Sequence, residues 1–308
     1  MRAFVFPGQG AQVIGMGRDL ASASPAAAAV FEEVDEALGE KLSALIWEGD
    51  IAELTLTANA QPALMATSIA ALRALEAEGF AVTDAAYVAG HSLGEYSALC
   101  AAGAIGLADT ARLLRQRGRA MQEAVPVGEG AMAAILGLDF EAVDALARDA
   151  AGDQVCQAAN DNDPAQVVIS GHKDAVERAA ALAKERGAKR ALMLPVSAPF
   201  HCALMQHAAV VMADALAGVE IHAPVVPVVS NVLAAPVTEP GVIRRTLVEQ
   251  VTGTVRWRES VAWMGEAGVT EFWEIGAGKA LSGMIRRIRP AATCHAIGSP
   301  ADIAALKG

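Results

Sequence analysis

The segment Gly90-His91-Ser92-Leu93-Gly94 has the residue types and the spacing of a serine nucleophile held on a tight turn. A short apolar run over 87–89 predicts a strand before it, and a helical pattern over 93–102 follows it. The two glycines let the chain turn sharply and lift the serine hydroxyl clear of the backbone. The pattern therefore predicts a nucleophilic Ser92, and a tight turn without chemistry is the alternative.

Two backbone amides are predicted to face an oxyanion beside the serine. The Leu93 N–H lies at the N-terminus of the predicted helix, where backbone amides point toward negative charge. The loop Pro7-Gly8-Gln9-Gly10 follows a strand predicted over 3–6, and loops at the carboxyl ends of parallel strands line one crevice. The Gln9 N–H is the predicted second donor, with a plain strand-to-helix turn as the alternative.

A serine nucleophile needs a base, normally histidine, because an alcohol is a weak nucleophile at neutral pH. Among the six histidines, His201 follows a predicted strand and a proline-stiffened turn that can direct its imidazole into the crevice. His172 falls in a separate unit, and His91 adjoins Ser92 too closely to reach it. His201 is the predicted base, with a purely structural histidine as the alternative. The acidic residue and the HGGG loop of a plain α/β-hydrolase esterase are not evident.

A helix predicted over 107–125 carries four arginines, and a turn of about 100° per residue separates them into two sets. Arg117 falls among apolar side chains, whereas the other three share the opposite side, namely Arg112, Arg115 and Arg119. Burying a guanidinium is costly unless an anion meets it, and arginine pairs bidentately with carboxylates. The anion is either a protein Asp or Glu, or a carboxylate at the far end of the substrate's acyl group.

The elements that must position these residues alternate as in α/β proteins, which predicts a parallel sheet covered by helices. Over 128–196 the order changes to β-α-β-β-α-β, the split unit of the ferredoxin-like fold, with its second strand predicted over 154–159. The α/β pattern then resumes, with a strand over 225–230 and a helix over 278–288. We therefore expect a discontinuous catalytic domain over 1–127 and 197–308, with residues 128–196 as an inserted subdomain.

The composition excludes several classes of protein. The 308-residue chain has a net charge of −11 and no Lys/Arg-rich run, which argues against nucleic acid as a partner. No apolar run approaches the roughly 18 to 20 residues that span a bilayer, and no signal-peptide pattern opens the chain, so we expect a cytoplasmic protein. The four cysteines form no CxxC pair and the histidines lack zinc-ligand spacing, so no metal is expected. The glycine-containing segments lack the full residue spacing of nucleotide-binding motifs, so no nucleotide cofactor is expected.

Together these segments resemble the malonyl-CoA:acyl carrier protein transacylases of bacterial fatty-acid synthesis, over nearly the whole chain. The marks of the resemblance are Phe6-Pro7-Gly8-Gln9-Gly10, Gly90-His91-Ser92-Leu93-Gly94-Glu95-Tyr96-Ser97, Arg117-Gly118-Arg119-Ala120-Met121-Gln122, Pro199-Phe200-His201, and Gln250 before Val255-Arg256-Trp257. The chain departs from the family pattern at Thr252-Gly253-Thr254, where Asn-Pro-Val is common, and at Ala277, where proline is usual. By similarity to polyketide-synthase acyltransferase domains, Phe200 favours malonyl over methylmalonyl.

The resemblance implies an α/β-hydrolase-like large domain with a parallel sheet and an inserted ferredoxin-like subdomain. It implies that a malonyl group passes from malonyl-CoA to the phosphopantetheine thiol of acyl carrier protein through a malonyl-Ser92 intermediate, in ping-pong order. The implied roles are general base for His201, malonyl-carboxylate binding for Arg117, oxyanion-hole amides for Gln9 and Leu93, a histidine-orienting main-chain carbonyl for Gln250, and pocket-mouth positions for Asn160 and Asn162.

The implied partners are malonyl-CoA and acyl carrier protein, without nucleic acid or membrane, without a cofactor beyond the substrates, and with a monomeric enzyme. Because carrier proteins are acidic, we expect a local basic patch, either at Arg286, Arg287 and Arg289 or at Lys189 and Arg190, with a solvated charged face as the alternative. Other functions stay open: a free-standing polyketide-type acyltransferase, a serine esterase or thioesterase, and a non-catalytic scaffold for carrier proteins.

Overall fold

Two sheets organise the chain in the computed structural model, which describes residues 1–196 and 198–307. Ser197 and Gly308, the two ends of the predicted 197–308 segment, lie outside the described residues. The strands are, in chain order, β1 (Arg2–Phe6), β2 (Tyr87–Gly90), β3 (Gly130–Leu136), β4 (Cys156–Asp163), β5 (Gln166–His172), β6 (Arg190–Met193), β7 (Val228–Val229), β8 (Pro236–Val237), β9 (Glu271–Ile275) and β10 (Thr293–Ile297).

Helices connect these strands and cover the sheets. They are, in chain order, α1 (Arg18–Ala23), α2 (Pro25–Leu38), α3 (Leu42–Glu48), α4 (Ile51–Thr55), α5 (Thr57–Ala77), α6 (Leu93–Ala101), α7 (Leu107–Glu123), α8 (Phe140–Ala151), α9 (Lys173–Glu185), α10 (Gln206–Ala217), α11 (Pro240–Thr252), α12 (Trp257–Glu266), α13 (Ala280–Ile288) and α14 (Pro300–Ala305). Within the described residues, none of these helices combines the length and the apolar character that crossing a bilayer requires.

The larger sheet has the strand order β10-β9-β1-β2-β7-β8, and its neighbours are parallel except for β7 and β8. Parallel neighbours need crossover connections, which helices supply, so both faces of the sheet are covered and residues 3–6 of β1 are completely buried. The register pairs Phe6 with Gly90, so the loops that follow β1 and β2 lie side by side. The prediction of an α/β fold with a parallel sheet is confirmed.

The second sheet has the order β4-β5-β3-β6, and all its neighbouring strands are antiparallel. Helices α8 and α9 pack on one face, where alternate residues of β3, Ala133 and Ile135, join their core. The intervening residue Met132 points to the opposite face and belongs to a small cluster against which Phe200 packs. That face turns toward the larger sheet, because Met132 lines the same cavity as Ser92.

Two strands differ from the sequence-based expectation. The strand predicted over 225–230 is reduced to β7, because Pro224 and Pro227 have no N–H to donate to a ladder. The strand predicted over 154–159 begins later, as β4, and continues to Asp163 through Asn and Asp residues that strands usually disfavour.

Tertiary contacts explain why β4 continues through this polar run. Arg258 of α12 pairs with the fully buried Asp161 at 2.9 Å, and Arg287 of α13 pairs with Asp163 at 2.7 Å. These ion pairs give the buried carboxylates the cations they need, so burial overrides local strand propensity.

The expectation that Arg117 alone is buried on helix α7 is wrong, because Arg115 is only 8% exposed. The Arg115 guanidinium pairs with Glu40 and donates to the Ala58 carbonyl and to the Asn59 side chain. Helix α5 begins against this side of α7, so α7 has protein on two sides and the simple polar face predicted from periodicity does not exist.

Candidate active site

Ser92 lies on a turn that requires small neighbours. Its backbone has φ 55° and ψ −110°, and a positive φ is rare for any residue other than glycine. A Cβ atom on Gly90 would lie 1.9 Å from the Gly94 carbonyl, and one on Gly94 would lie 2.3 Å from the carbonyl oxygen of Phe6. Close backbone approach therefore demands both glycines of the motif, and the turn directs Ser92 into a cavity between the two sheets.

His201 faces Ser92 from the segment that follows β6. Its Nε2 lies 2.7 Å from Ser92 Oγ, and its Nδ1 lies 2.8 Å from the main-chain carbonyl oxygen of Gln250 in α11. A carbonyl only accepts hydrogen bonds, so Nδ1 carries the proton and Nε2 offers its lone pair to the Ser92 hydroxyl. The Gln250 carbonyl thus takes the position that a carboxylate holds in a Ser-His-Asp triad.

The surroundings of His201 keep its imidazole neutral. Burial and the positive charge of Arg117 lower the pKa of His201 to about 3, although the hydrogen bond to the Gln250 carbonyl acts in the opposite direction. The imidazole is therefore unprotonated at neutral pH, which is the state that can accept the Ser92 proton.

Arg117 reaches the nucleophile from α7 and is only 1% exposed. Its guanidinium donates to Gln61 Oε1 and Gln250 Oε1, both at 2.8 Å, and to Ser92 Oγ at 3.1 Å. Within residues 1–196 and 198–307, no carboxylate forms an ion pair with it, and burial lowers the pKa of Arg117. The protein carboxylate considered from the sequence is therefore not in contact, and the guanidinium can receive an anion from a ligand.

The two predicted oxyanion donors lie at the same edge of the larger sheet. Leu93 is the first residue of α6, and Gln9 belongs to the loop after β1, whose last residue pairs with Gly90. Both residues line the cavity with Ser92, and neither backbone N–H donates to a group of the described chain. The Gln9 side chain donates to Thr57 Oγ1 at 3.2 Å, which anchors the loop to α5. Both amides are thus available to a ligand oxygen.

The cavity has a volume of about 440 Å³ and lies where the two sheets face each other. Predicted site residues and apolar side chains share its wall. A ligand carboxylate in this cavity can therefore pair with the Arg117 guanidinium in largely apolar surroundings. The predicted residues in its lining are Gln9, Ser92, Leu93, Arg117, Asn160 and His201, and the apolar ones include Met121, Met132, Leu194, Val196 and Phe200.

Asn160 and Asn162 occupy different places although both belong to β4. Asn160 lines the cavity, and its strand bridges to Val255. The Asn162 side chain is not in that lining, because its Oδ1 lies 2.8 Å from His91 Nε2. Asn162 therefore ties the second sheet to the residue before the nucleophile, and burial lowers the pKa of His91, which keeps that imidazole neutral.

Three residues that sequence reasoning missed complete the site: Gln61, Glu95 and Asn231. Asn231 accepts the Ser92 N–H at 2.8 Å and donates to the Gly90 carbonyl at 2.7 Å, so it holds both sides of the turn. Glu95 does carry a signal in the sequence, because it is an acidic residue within an otherwise largely apolar helical segment, and the structure buries that helix completely. Gln61 and Asn231 carry no comparable local signal.

Among the described residues, no group of three His, Cys, Asp or Glu side chains could hold a metal ion.

The fold and the site define an α/β protein with a serine hydroxyl set against a neutral histidine and a buried arginine. A family model for the acyl transferase domain matches residues 3–295, and the chain belongs to this family. The chain is 49% identical to the malonyl CoA-acyl carrier protein transacylase of Bacillus subtilis (strain 168) over 302 residues, which cover 98% of this chain and 94% of that protein.

Solved structures show the same likeness. The crystal structure of an acyl-carrier-protein-S-malonyltransferase from Bartonella henselae matches with a TM-score of 0.97 and 55% identity, covering 99% of this chain and 98% of that one. A malonyl-transacylase solved in complex with its type II PKS acyl-carrier protein matches with a TM-score of 0.95 and 45% identity, covering 98% of this chain and 97% of that one.

Proposed function

We propose that this chain transfers a malonyl group from malonyl-CoA to the phosphopantetheine thiol of an acyl carrier protein, through an ester on Ser92. The observation that carries the proposal is the Arg117 guanidinium, buried 3.1 Å from Ser92 Oγ without a carboxylate partner in the described chain. An acyl group with a carboxylate at its far end supplies the missing anion. The names of the relatives, which are malonyl transacylases, support the same substrate.

In the first half-reaction, His201 Nε2 takes the proton of Ser92 Oγ while that oxygen attacks the thioester carbonyl. The Gln9 and Leu93 amides hold the negative oxygen of the tetrahedral intermediate. The C–S bond then breaks, coenzyme A leaves with the proton from His201, and malonyl-Ser92 remains. In the second half, the carrier's thiol gives its proton to His201 and attacks the ester, and Ser92 recovers a proton as it leaves. The protein's own groups supply this chemistry, so we infer no cofactor beyond the two substrates.

We propose the finer fold assignment of an α/β-hydrolase-like domain over 1–127 and 197–308 with a ferredoxin-like subdomain over 128–196. The chain order β3-α8-β4-β5-α9-β6 and the sheet order β4-β5-β3-β6 support the second unit. The turn at Ser92 between β2 and α6 supports the first.

We propose that the carrier protein docks beside the mouth of the cavity, where Lys189 and Arg190 are exposed at the start of β6. This strand leads to residues 194–196, which line the cavity, so one short strand joins the patch to the entry. In the other candidate patch, Arg287 is already paired with Asp163 and Arg286 donates to the Cys294 carbonyl. A complex with an acyl-carrier protein is known for the similar malonyl-transacylase.

We further infer a monomeric, cytoplasmic enzyme. One chain supplies the nucleophile, base, arginine and amides of the site, so a second copy is not needed to complete it. All four cysteines are free, as is usual for proteins of a reducing compartment.

Intact-mass measurement after mixing with malonyl-CoA tests the proposed function. We expect a single malonyl adduct on the wild type, none on Ser92→Ala, and loss of the adduct on adding holo-acyl carrier protein as the carrier gains the malonyl mass. An adduct that persists on Ser92→Ala would overturn the assignment of the nucleophile. An adduct that hydrolyses in buffer without reaching the carrier would favour a thioesterase instead.

A further inference from the structure

Helix α6 is buried over its whole length, yet its third residue is a glutamate directly beneath the nucleophile. Glu95 is 1% exposed, and within the described residues no Lys, Arg or His forms an ion pair with its carboxylate. Such a carboxylate is unfavourable unless hydrogen bonds and nearby charge compensate it. The proposed mechanism does not use Glu95, so its presence calls for another explanation.

One oxygen of Glu95 accepts two hydrogen bonds that fix its position. Oε2 accepts the backbone N–H of Asn231 at 3.2 Å and the side-chain amide Nε2 of Gln250 at 2.7 Å. The same Nε2 also donates to the Ser92 carbonyl oxygen at 3.0 Å. It also donates to Asn231 Oδ1 at 3.3 Å, so Glu95, Ser92 and Asn231 together hold the nitrogen of the Gln250 amide.

This arrangement decides which way the Gln250 amide points. The Gln250 NH₂ group faces three acceptors, and the shortest of these contacts is the one to Glu95 Oε2, so a reversed amide would oppose its oxygen to all three. The amide oxygen must then point the other way, where it accepts from Arg117 at 2.8 Å. A reversed amide would oppose its NH₂ group to the guanidinium, which only donates.

As a result, uncharged amide oxygens hold the Arg117 guanidinium in place. Gln250 Oε1 and Gln61 Oε1 hold two guanidinium nitrogens at 2.8 Å each, and neither is an anion. Had a carboxylate stood at Gln250, it would pair with the guanidinium and occupy the place of a ligand's carboxylate. The Gln250 side chain instead lies between the Glu95 carboxylate and Arg117, so Glu95 affects the guanidinium by orienting the Gln250 amide.

We propose that Glu95 is a positioning residue for acyl-group selection, which turns the Gln250 amide so that its oxygen holds Arg117 ready for the carboxylate of the acyl group. This inference rests on the proposed function, because it presumes an acyl group that carries a carboxylate.

Glu95 can orient the Gln250 amide whether its carboxyl group is charged or neutral. Burial raises the pKa of Glu95 to about 7, although the hydrogen bonds from Gln250 and Asn231 and the charge of Arg117 oppose this rise. The carboxyl group is thus partly protonated at neutral pH, yet an unprotonated oxygen accepts from Gln250 in either form.

Two matched substitutions separate the position of the oxygen from its charge. Glu95→Asp keeps the charge but withdraws the oxygen by one methylene, whereas Glu95→Gln keeps an oxygen in place and removes the charge. The readout is the ratio of kcat/KM for Ser92 acylation by malonyl-CoA to that by acetyl-CoA. We expect Asp to lower this ratio at least tenfold and Gln to lower it less than threefold. Ser97→Ala, a buried change on the same helix outside this network, should leave the ratio unchanged.

Two results would overturn the proposal: a Gln variant that lowers the ratio as much as the Asp variant, or an Asp variant that slows both donors equally. Gln250→Leu provides a second route if the Asp variant does not fold, because it removes the amide but keeps the main-chain carbonyl that bonds His201. It should lower the same ratio at least tenfold, and an unchanged ratio would contradict the proposal. A wild type without malonyl preference would instead refute the proposed function itself.

Discussion

Arg115 and Arg117 are two residues apart in helix α7 and both are buried, yet their partners differ in kind. Arg115 pairs with the carboxylate of Glu40, whereas in the described part of the chain the hydrogen bonds of Arg117 go to uncharged oxygens, those of Gln61, Gln250 and Ser92. The first guanidinium is satisfied by the fold, and the second keeps an unused capacity for an anion beside the nucleophile. The comparison teaches that burial alone does not mark a functional arginine, but the charge of its partners does.

Giving Arg117 a carboxylate partner would remove the difference between the two arginines and has the largest expected effect. In Gln250→Glu, one oxygen of the new carboxylate stands where Oε1 now accepts from Arg117, so an ion pair fills the anion position. The other oxygen faces Glu95, whose pKa is already raised by burial, so Glu95 takes up a proton and donates to it. We expect kcat/KM for acylation by malonyl-CoA to fall about 100-fold, which corresponds to about 2.7 kcal/mol. Acylation by acetyl-CoA should fall less than about tenfold. Equal losses with both donors would contradict the comparison.

Removing Arg115 should instead cost stability and spare selection. Arg115→Met deletes an ion pair and the hydrogen bond to the Ala58 carbonyl, while the released Glu40 is half-exposed and remains hydrated. We expect the free energy of unfolding, measured in urea, to fall by about 1–3 kcal/mol. The exposed Arg112→Met is the matched control and should change it by less than about 0.5 kcal/mol. A changed preference between malonyl-CoA and acetyl-CoA in Arg115→Met would break the comparison.

The charge of Arg117 should also be visible in acid stability. The pKa of His201 is about 3 in the fold, below the ordinary value of 6.5, so between these values the unfolded chain binds a proton that the folded chain does not. The stability that neutral His201 contributes is complete above pH 6.5 and is lost as pH falls toward 3.

At pH 5 this loss is about 2 kcal/mol relative to pH 7, at about 1.4 kcal/mol per pH unit below 6.5. Urea unfolding of the wild type and of His201→Gln at both pH values measures it, and the wild type should lose that much more than the variant. Arg117→Met removes the largest electrostatic cause of the low pKa of His201, so it should shrink the loss. Equal losses in the wild type and His201→Gln would contradict this account of His201.

Local patterns predicted the parts of the site whose geometry is local. The turn at Ser92 was predictable because Gly90 and Gly94 are demanded by contacts within the motif and with the adjacent strand β1. The second unit was visible in the sequence because the order of its predicted strands and helices is itself local information, and the observed order is β3-α8-β4-β5-α9-β6.

Long-range partners were beyond the reach of such patterns. The Gln250 side chain contacts Glu95 across 155 residues of chain, and no periodicity reports that meeting. Arg115 looked exposed because its partner Glu40 lies 75 residues away. The role expected of Gln250 came from a family resemblance, whereas the orientation of its amide required the structure.

The smallest expected effect concerns exposed basic residues, which resemble neither buried arginine. Replacing Lys189 and Arg190 together with alanine should slow transfer from malonyl-Ser92 to the carrier protein by about 3- to 10-fold, because exposed charges mainly steer association. Acylation by malonyl-CoA should not change. Rates of the two half-reactions, measured separately at low and high salt, test this, and an equal loss in both half-reactions would rule out a docking role.

Competition labelling tests the central claim most directly. The wild type, Arg117→Ala and Arg115→Ala are each mixed with equal concentrations of malonyl-CoA and acetyl-CoA, and intact mass gives the ratio of the two adducts on Ser92. We predict that malonyl predominates on the wild type and on Arg115→Ala, and that Arg117→Ala loses this preference by about 100-fold. An Arg117→Ala enzyme that keeps the malonyl preference would contradict the account.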